Sequence, residues 1–114
     1  MEIENDLLSK LNELGIFFSS VKESASLTLI DQETASNGLN KVELIRNIVH
    51  KHKKEPRNIF LRQIHGGLFS MVRGMEFFVD PKTNEDYIES CRGIYELVDK
   101  LESAIKWTSV YRVR

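Results

Sequence analysis

Ile3, Leu7, Leu11, Leu14, Phe18 and Val21 step by four, four, three, four and three residues, which draws one apolar stripe down a helix. Near the other end, Tyr87, Ile88, Cys91, Ile94, Tyr95, Val98, Leu101 and Ile105 repeat the pattern. Helices with such stripes must bury them against further helices, so the fold class is narrowed at once to packed helices. The chain has 114 residues, enough for one core and too few for two, so residues 1–114 are read as a single domain. A hydrophobic share of 41% against 29% charged residues argues against a disordered chain.

The spacing predicts a first helix from Ile3 to about Val21, with Leu8 and Phe17 widening its apolar face and Glu2, Glu4 and Asp6 favourably placed at its positive end. From Ser19 to Asn40 the pattern dissolves into serines, threonines, Asn37 and Gly38, which read as a long connection. Within it, Leu27-Thr28-Leu29-Ile30 suits either a short strand or a buried anchor. Asn40 with Glu43 forms a capping-box signature, opening a second helix of about 13 residues that Pro56 closes. The third helix is expected from Pro56 to about Val79, apolar on more than one face, and Asp80-Pro81 ends it. Thr83 with Asp86 repeats the capping signature and opens a fourth helix running to Ile105. The tail, Trp107 to Arg114, alternates with period two and is rich in strand formers. The expected fold is all-α, an antiparallel four-helix bundle, in which residues 26–31 and the tail are able to pair as short strands.

Charge is segregated along the chain. Residues 1–23 carry five acids against two lysines, and residues 80–103 carry seven acids against three bases. Residues 41–62 reverse this, with Lys41, Arg46, Lys51, Lys53, Lys54, Arg57 and Arg62 against Glu43 and Glu55. Such a block fits a phosphate backbone, but also a solvated helix end or an intramolecular match to the acidic helices.

Several chemistries are disfavoured. One cysteine excludes a disulfide framework and a four-thiolate zinc site. His50, His52 and His65 with Cys91 are the soft ligand candidates, but His50 and His52 point in different directions on one helix, so no metal or other cofactor is expected. Cys91 falls on the inward stripe and reads as a core residue. No apolar run approaches the roughly 20 residues of a membrane span, and the acidic start is unlike a signal peptide, so a cytoplasmic protein is expected.

Two short stretches resemble known families. Leu44-Ile45-Arg46-Asn47-Ile48-Val49-His50-Lys51-His52 resembles the arginine–polar–spacer–histidine signature of HEPN-domain ribonucleases, which are small helical bundles. That resemblance implies a metal-free ribonuclease in which Arg46 holds phosphate charge, Asn47 is its polar neighbour and His52 performs acid–base chemistry. Ser70-Met71-Val72-Arg73-Gly74 is similar to the motif of histidine phosphotransfer domains, with serine in the histidine's place, which implies at most an inactive relative.

Taken together, the residues favour a non-enzymatic interaction protein, an adaptor, inhibitor or regulator that binds a protein partner. Trp107, Tyr111 and Val113 are its expected anchors. The alternative is RNA binding, or HEPN-like cleavage, through Lys51, Lys53, Lys54, Arg57 and Arg62 around Arg46 and His52. Self-association through the third helix or the tail stays open.

Overall fold

A computed structural model describes residues 2–74 and 77–106; the expected anchors Trp107, Tyr111 and Val113, and the tail expected to pair as a strand, lie outside them. The described chain is all-helical, with α1 (Glu2–Lys22), α2 (Leu29–Lys54), α3 (Asn58–Arg73), α4 (Pro81–Ser90) and α5 (Ile94–Ala104). No helix among the described residues is long and apolar enough to cross a membrane.

The first helix follows the sequence reading. Leu7, Leu11, Leu14 and Phe18 are fully buried, and Ile3 and Val21 nearly so. Each such side chain contributes about 1.5–3 kcal/mol by leaving water.

The second helix departs from it. Residues 29–40 are helical, so α2 is 26 residues long and Asn40 lies inside it on an exposed face. The cap is Thr28, whose Oγ1 accepts the Asp31 N–H at 3.1 Å. Residues 29–31 therefore form no strand, and there is none elsewhere among the described residues. The buried line of α2 is Asp31, Ala35, Gly38, Val42, Ile45, Val49 and His52, a helical spacing whose first half is small or polar. Gly38 is required there: a Cβ would stand 2.6 Å from the Phe18 ring, which packs on the α2 backbone.

The third helix starts at Asn58 and stops at Arg73, short of the expected Val79. Phe78 is buried against Phe17, Phe18 and Tyr87, its ring centroid 5.5–6.4 Å from theirs. The Tyr87 hydroxyl donates to the Met71 carbonyl, and the Val79 N–H donates to Asp31 Oδ1 at 3.1 Å, pinning this segment to the start of α2.

The expected fourth helix is two. Asp80, not Thr83, caps α4: its Oδ1 accepts the Thr83 N–H at 3.0 Å, and Pro81 takes the first turn, where its missing N–H costs nothing. The helix breaks at Cys91–Gly93, where Gly93 adopts φ +90°, a conformation side chains resist. The buried line nevertheless continues across the break through Tyr87, Cys91, Ile94, Val98, Leu101 and Ile105. The described chain thus has five helices where four were expected. Contacts run from Glu4–His52 to Phe18–Gly38 between α1 and α2, and from His65–Glu102 to Asn58–Lys106 between α3 and the end of α5.

Candidate functional site

The Arg46–Asn47–His52 stretch lies in the middle and last turns of α2. Arg46 pairs with Glu43 one turn earlier, and its guanidinium rests against Gly15 of α1. Asn47 and His50 are exposed, whereas His52 is buried. Its Nδ1 stands 2.9 Å from Glu4 Oε2, and both side chains are only 3% exposed. Burial alone would raise the Glu4 pKa, but hydrogen bonding and charge attraction, His52 among the partners, outweigh it and hold the carboxyl below its ordinary value. An ionised Glu4 only accepts, so Nδ1 of His52 donates. Six positions along a helix set Arg46 and His52 about 120° apart and about 9 Å along the axis. The fold does not bring the two together on one open face.

The basic block does form a surface. Lys51, Lys53, Lys54 and Arg57 are exposed at the α2–α3 turn, with Arg62 half-buried one turn into α3. Lys53 Nζ reaches Asn5 Oδ1 at 3.5 Å; among the described residues Lys51, Lys54, Arg57 and Arg62 make no ion pair. Asn58 adds a contribution the sequence did not announce. Its Oδ1 accepts the Lys106 N–H at 2.8 Å and its Nδ2 donates to the Lys106 carbonyl at 3.5 Å, tying the end of α5 to this corner.

The second surface is an apolar groove of about 320 Å³ between α3 and the α4–α5 break. Val72, Tyr87, Ile88, Cys91, Arg92 and Tyr95 line it. Ile88 is 44% exposed and Tyr95 58%, while Cys91 forms the buried floor. Burial pushes the Cys91 thiol up, more than the Tyr87 hydrogen bond and the Lys10 charge pull it down, so at neutral pH it is a protonated thiol. A third cleft, about 550 Å³ between α1, residues 24–27 and α4, is lined by serines, carboxylates, Lys82 and Thr83 together with Phe17, Val21 and Leu27, and no histidine or cysteine faces it. No group of three or more histidine, cysteine or acidic side chains is placed to hold a metal ion among the described residues.

No protein-family model, no curated protein and no solved structure matches this chain.

The apolar run over residues 87–105 predicts a single inward stripe, from which the exposed Ile88 and Tyr95 depart. Tyr87 and Ile88 are adjacent, as are Ile94 and Tyr95, and two neighbours cannot both lie on one buried line. The leftover members, Ile88 and Tyr95, are seven apart and form a second stripe. That spacing was the available signal.

Proposed function

We propose that this chain is a small non-enzymatic interaction module that binds a protein partner, and that the groove between α3 and the α4–α5 break is where the partner docks. The observation that carries this reading is the pair of large apolar side chains, Ile88 and Tyr95, exposed in one groove with the buried Val72, Tyr87 and Cys91. Aromatic anchors set beside a desolvated floor are the usual composition of interface centres. The groups that would serve catalysis are otherwise engaged: His52 with Glu4, Arg46 with Glu43, and the Cys91 thiol in the floor. We read the architecture as a four-helix bundle whose fourth helix is broken at Gly93, the break opening the groove. Roles as adaptor, inhibitor or regulator are all compatible with such a module.

A quantitative pull-down with the tagged chain tests this. Ile88→Asp and Tyr95→Ala are expected to lose the partner, and Leu44→Asp, at an equally exposed apolar position on α2 (58%), to retain it. The reading fails when the groove variants keep every protein that the unmodified chain captures.

RNA binding at the α2–α3 corner is the second reading, supported by the four cations there without an ion pair. Anisotropy of labelled single-stranded RNA at about 50 and 200 mM salt decides it, since phosphate contacts by these residues predict binding that collapses with salt. Lys54→Ala/Arg57→Ala would then reduce both the affinity and the salt slope.

A further inference from the structure

We infer that a separate hollow, between α3 and the segment that follows it, binds a nucleoside 5′-phosphate, with the base against Phe69 and Phe77 and the phosphate at Lys41 and Arg73. This is a different surface from the docking groove, and neither reading rests on the other.

Gly66, Phe69, Ser70, Arg73, Gly74 and Phe77 line a depression of about 490 Å³, a size ordinary for small-ligand sites. Phe69 stays 41% exposed, although α3 already buries Leu61, Ile64, Leu68, Met71 and Val72 in the core. The Arg73 guanidinium stands over its ring, 5.6 Å from the centroid. Phe77 is held by stacking on Tyr87, with centroids 5.8 Å and planes 25° apart. Gly74 makes room for it, since a Cβ there would overlap the Phe77 ring. At Gly66 nothing lies within 4 Å of where a Cβ would stand, so that wall is bare backbone. Two aromatic side chains and an arginine in one hollow suit a planar ring, and stacking of this kind tolerates any base.

The charge at the hollow has one sign. Arg73 is the only charged side chain in its lining, and Lys41 of α2 reaches it, with Nζ donating to Ser70 Oγ at 3.5 Å. Neither cation makes an ion pair among the described residues. Glu43, two residues from Lys41, is paired with Arg46. Glu102 faces His65 Nε2 at 3.4 Å, and the His65 ring in turn meets Phe69 edge-on at 6.1 Å. With Lys41 donating to its oxygen, the Ser70 hydroxyl keeps its proton for an acceptor. Two cations and a hydroxyl donor match a terminal phosphate, which carries about −1.5 to −2 at neutral pH, better than a carboxylate with one charge. Ser70 directly follows Phe69 and Arg73 stands one turn on, so ring and donors share one helical turn, a spacing that a ribose bridges. An uncharged aromatic would leave the cations unmatched, and an inorganic anion would leave the rings unused.

Calorimetric titration of the full chain with AMP, adenosine and inorganic phosphate, each at low and high salt, tests this. AMP is expected to bind at least about tenfold more tightly than adenosine or phosphate, because it alone engages rings and cations together. Phe69→Ala is expected to weaken AMP about tenfold and to leave phosphate unchanged. Lys41→Gln/Arg73→Gln is expected to weaken both several-fold and to flatten the salt dependence. Lys22→Gln, at an exposed cation ending α1, is expected to change nothing. Circular dichroism confirms that these variants fold. Equal affinity for AMP and phosphate, unmoved by Phe69→Ala, would overturn the base site. Equal affinity for AMP and adenosine, unmoved by Lys41→Gln/Arg73→Gln, would overturn the phosphate site. AMP binding lost in Lys54→Ala/Arg57→Ala but kept in Lys41→Gln/Arg73→Gln would move the ligand to the α2–α3 corner and overturn the inference. Absence of AMP binding at millimolar concentration would overturn it outright.

Discussion

Replacing glycine by alanine inside a helix ordinarily stabilises it by about 1 kcal/mol, because the backbone loses less freedom on folding. Two glycines of this chain should respond with opposite signs. Gly66, in the interior of α3, has nothing within 4 Å of where a Cβ would stand, so Gly66→Ala is expected to realise that gain. Gly38, in the interior of α2, faces the Phe18 ring, whose nearest atoms would lie 2.6 Å from the new methyl. Phe18 cannot swing away: it is fully buried and touches Phe17, Phe78 and Tyr87. Forcing a methyl into such a core costs about 1–3 kcal/mol. The clash outweighs the propensity gain, and Gly38→Ala is expected to destabilise by up to about 2 kcal/mol. Urea unfolding followed by circular dichroism measures both variants, and thermal midpoints should move by about 4 °C for each kcal/mol in a chain this size. If Gly38→Ala stabilises as much as Gly66→Ala, then residues 29–40 do not pack on α1 as a helix, and the account of α2 is wrong.

The Glu4–His52 pair makes a pH prediction. The Glu4 pKa is lower in the folded chain than its ordinary 4.5, so its stabilising contribution is present above that value and is lost as the pH falls through the folded pKa. Glu4→Gln should cost about 1–3 kcal/mol at pH 7 and flatten the acid limb of a stability–pH curve; an unchanged limb would show that the carboxylate is not stabilised in the fold. Gly93→Ala should destabilise by about 1–2 kcal/mol because of its positive φ, and Gly93→Asn by less; equal stability of all three by thermal unfolding would mean that the α4–α5 break is not built on that conformation. The Cys91 thiol should react with iodoacetamide far more slowly than free cysteine at pH 7.5 and at the free rate in urea, with equal rates in both conditions contradicting a buried, protonated thiol.

Much of the fold was legible where the buried line is made of large apolar residues. The α1 stripe could be read directly, and α4–α5 could be read as helical because its inward line survives the break in register. Where the buried line is small or polar, apolar periodicity gives no signal. Asp31, Ala35 and Gly38 keep the spacing of Val42, Ile45 and Val49 but look like loop residues, because the bulk at this interface comes from Phe18 of α1. The polar ends of that line are tolerated for specific reasons: Asp31 receives the Val79 N–H, and His52 donates to Glu4. Both partners lie 48 residues away in sequence, so neither satisfaction could be anticipated locally. Capping signatures erred for a related reason. Asn40 and Thr83 each have an acid three residues on, yet Thr28 and Asp80 are the residues that accept the orphan N–H groups.

The same distinction separates the two surfaces. A basic corner can be counted from sequence, since the cations are contiguous, and only the Asn58–Lys106 tie required the fold. The groove is harder to see, because its exposed members sit beside buried ones in an apolar run. A single helix spends about three or four positions in every seven on a buried face. Besides Ala104, residues 87–105 offer nine apolar positions, of which Tyr87, Cys91, Ile94, Leu97, Val98, Leu101 and Ile105 are buried and complete the inward face. Ile88 and Tyr95 are in excess of what burial requires, and in an unbroken helix they would point along one outward line. The Gly93 turn interrupts that line, and both residues line one depression with the buried Cys91 and Val72. The break at Gly93, together with the apolar content, therefore sets where Ile88 and Tyr95 stand relative to Cys91 and Val72, which no count of apolar residues along the chain could show.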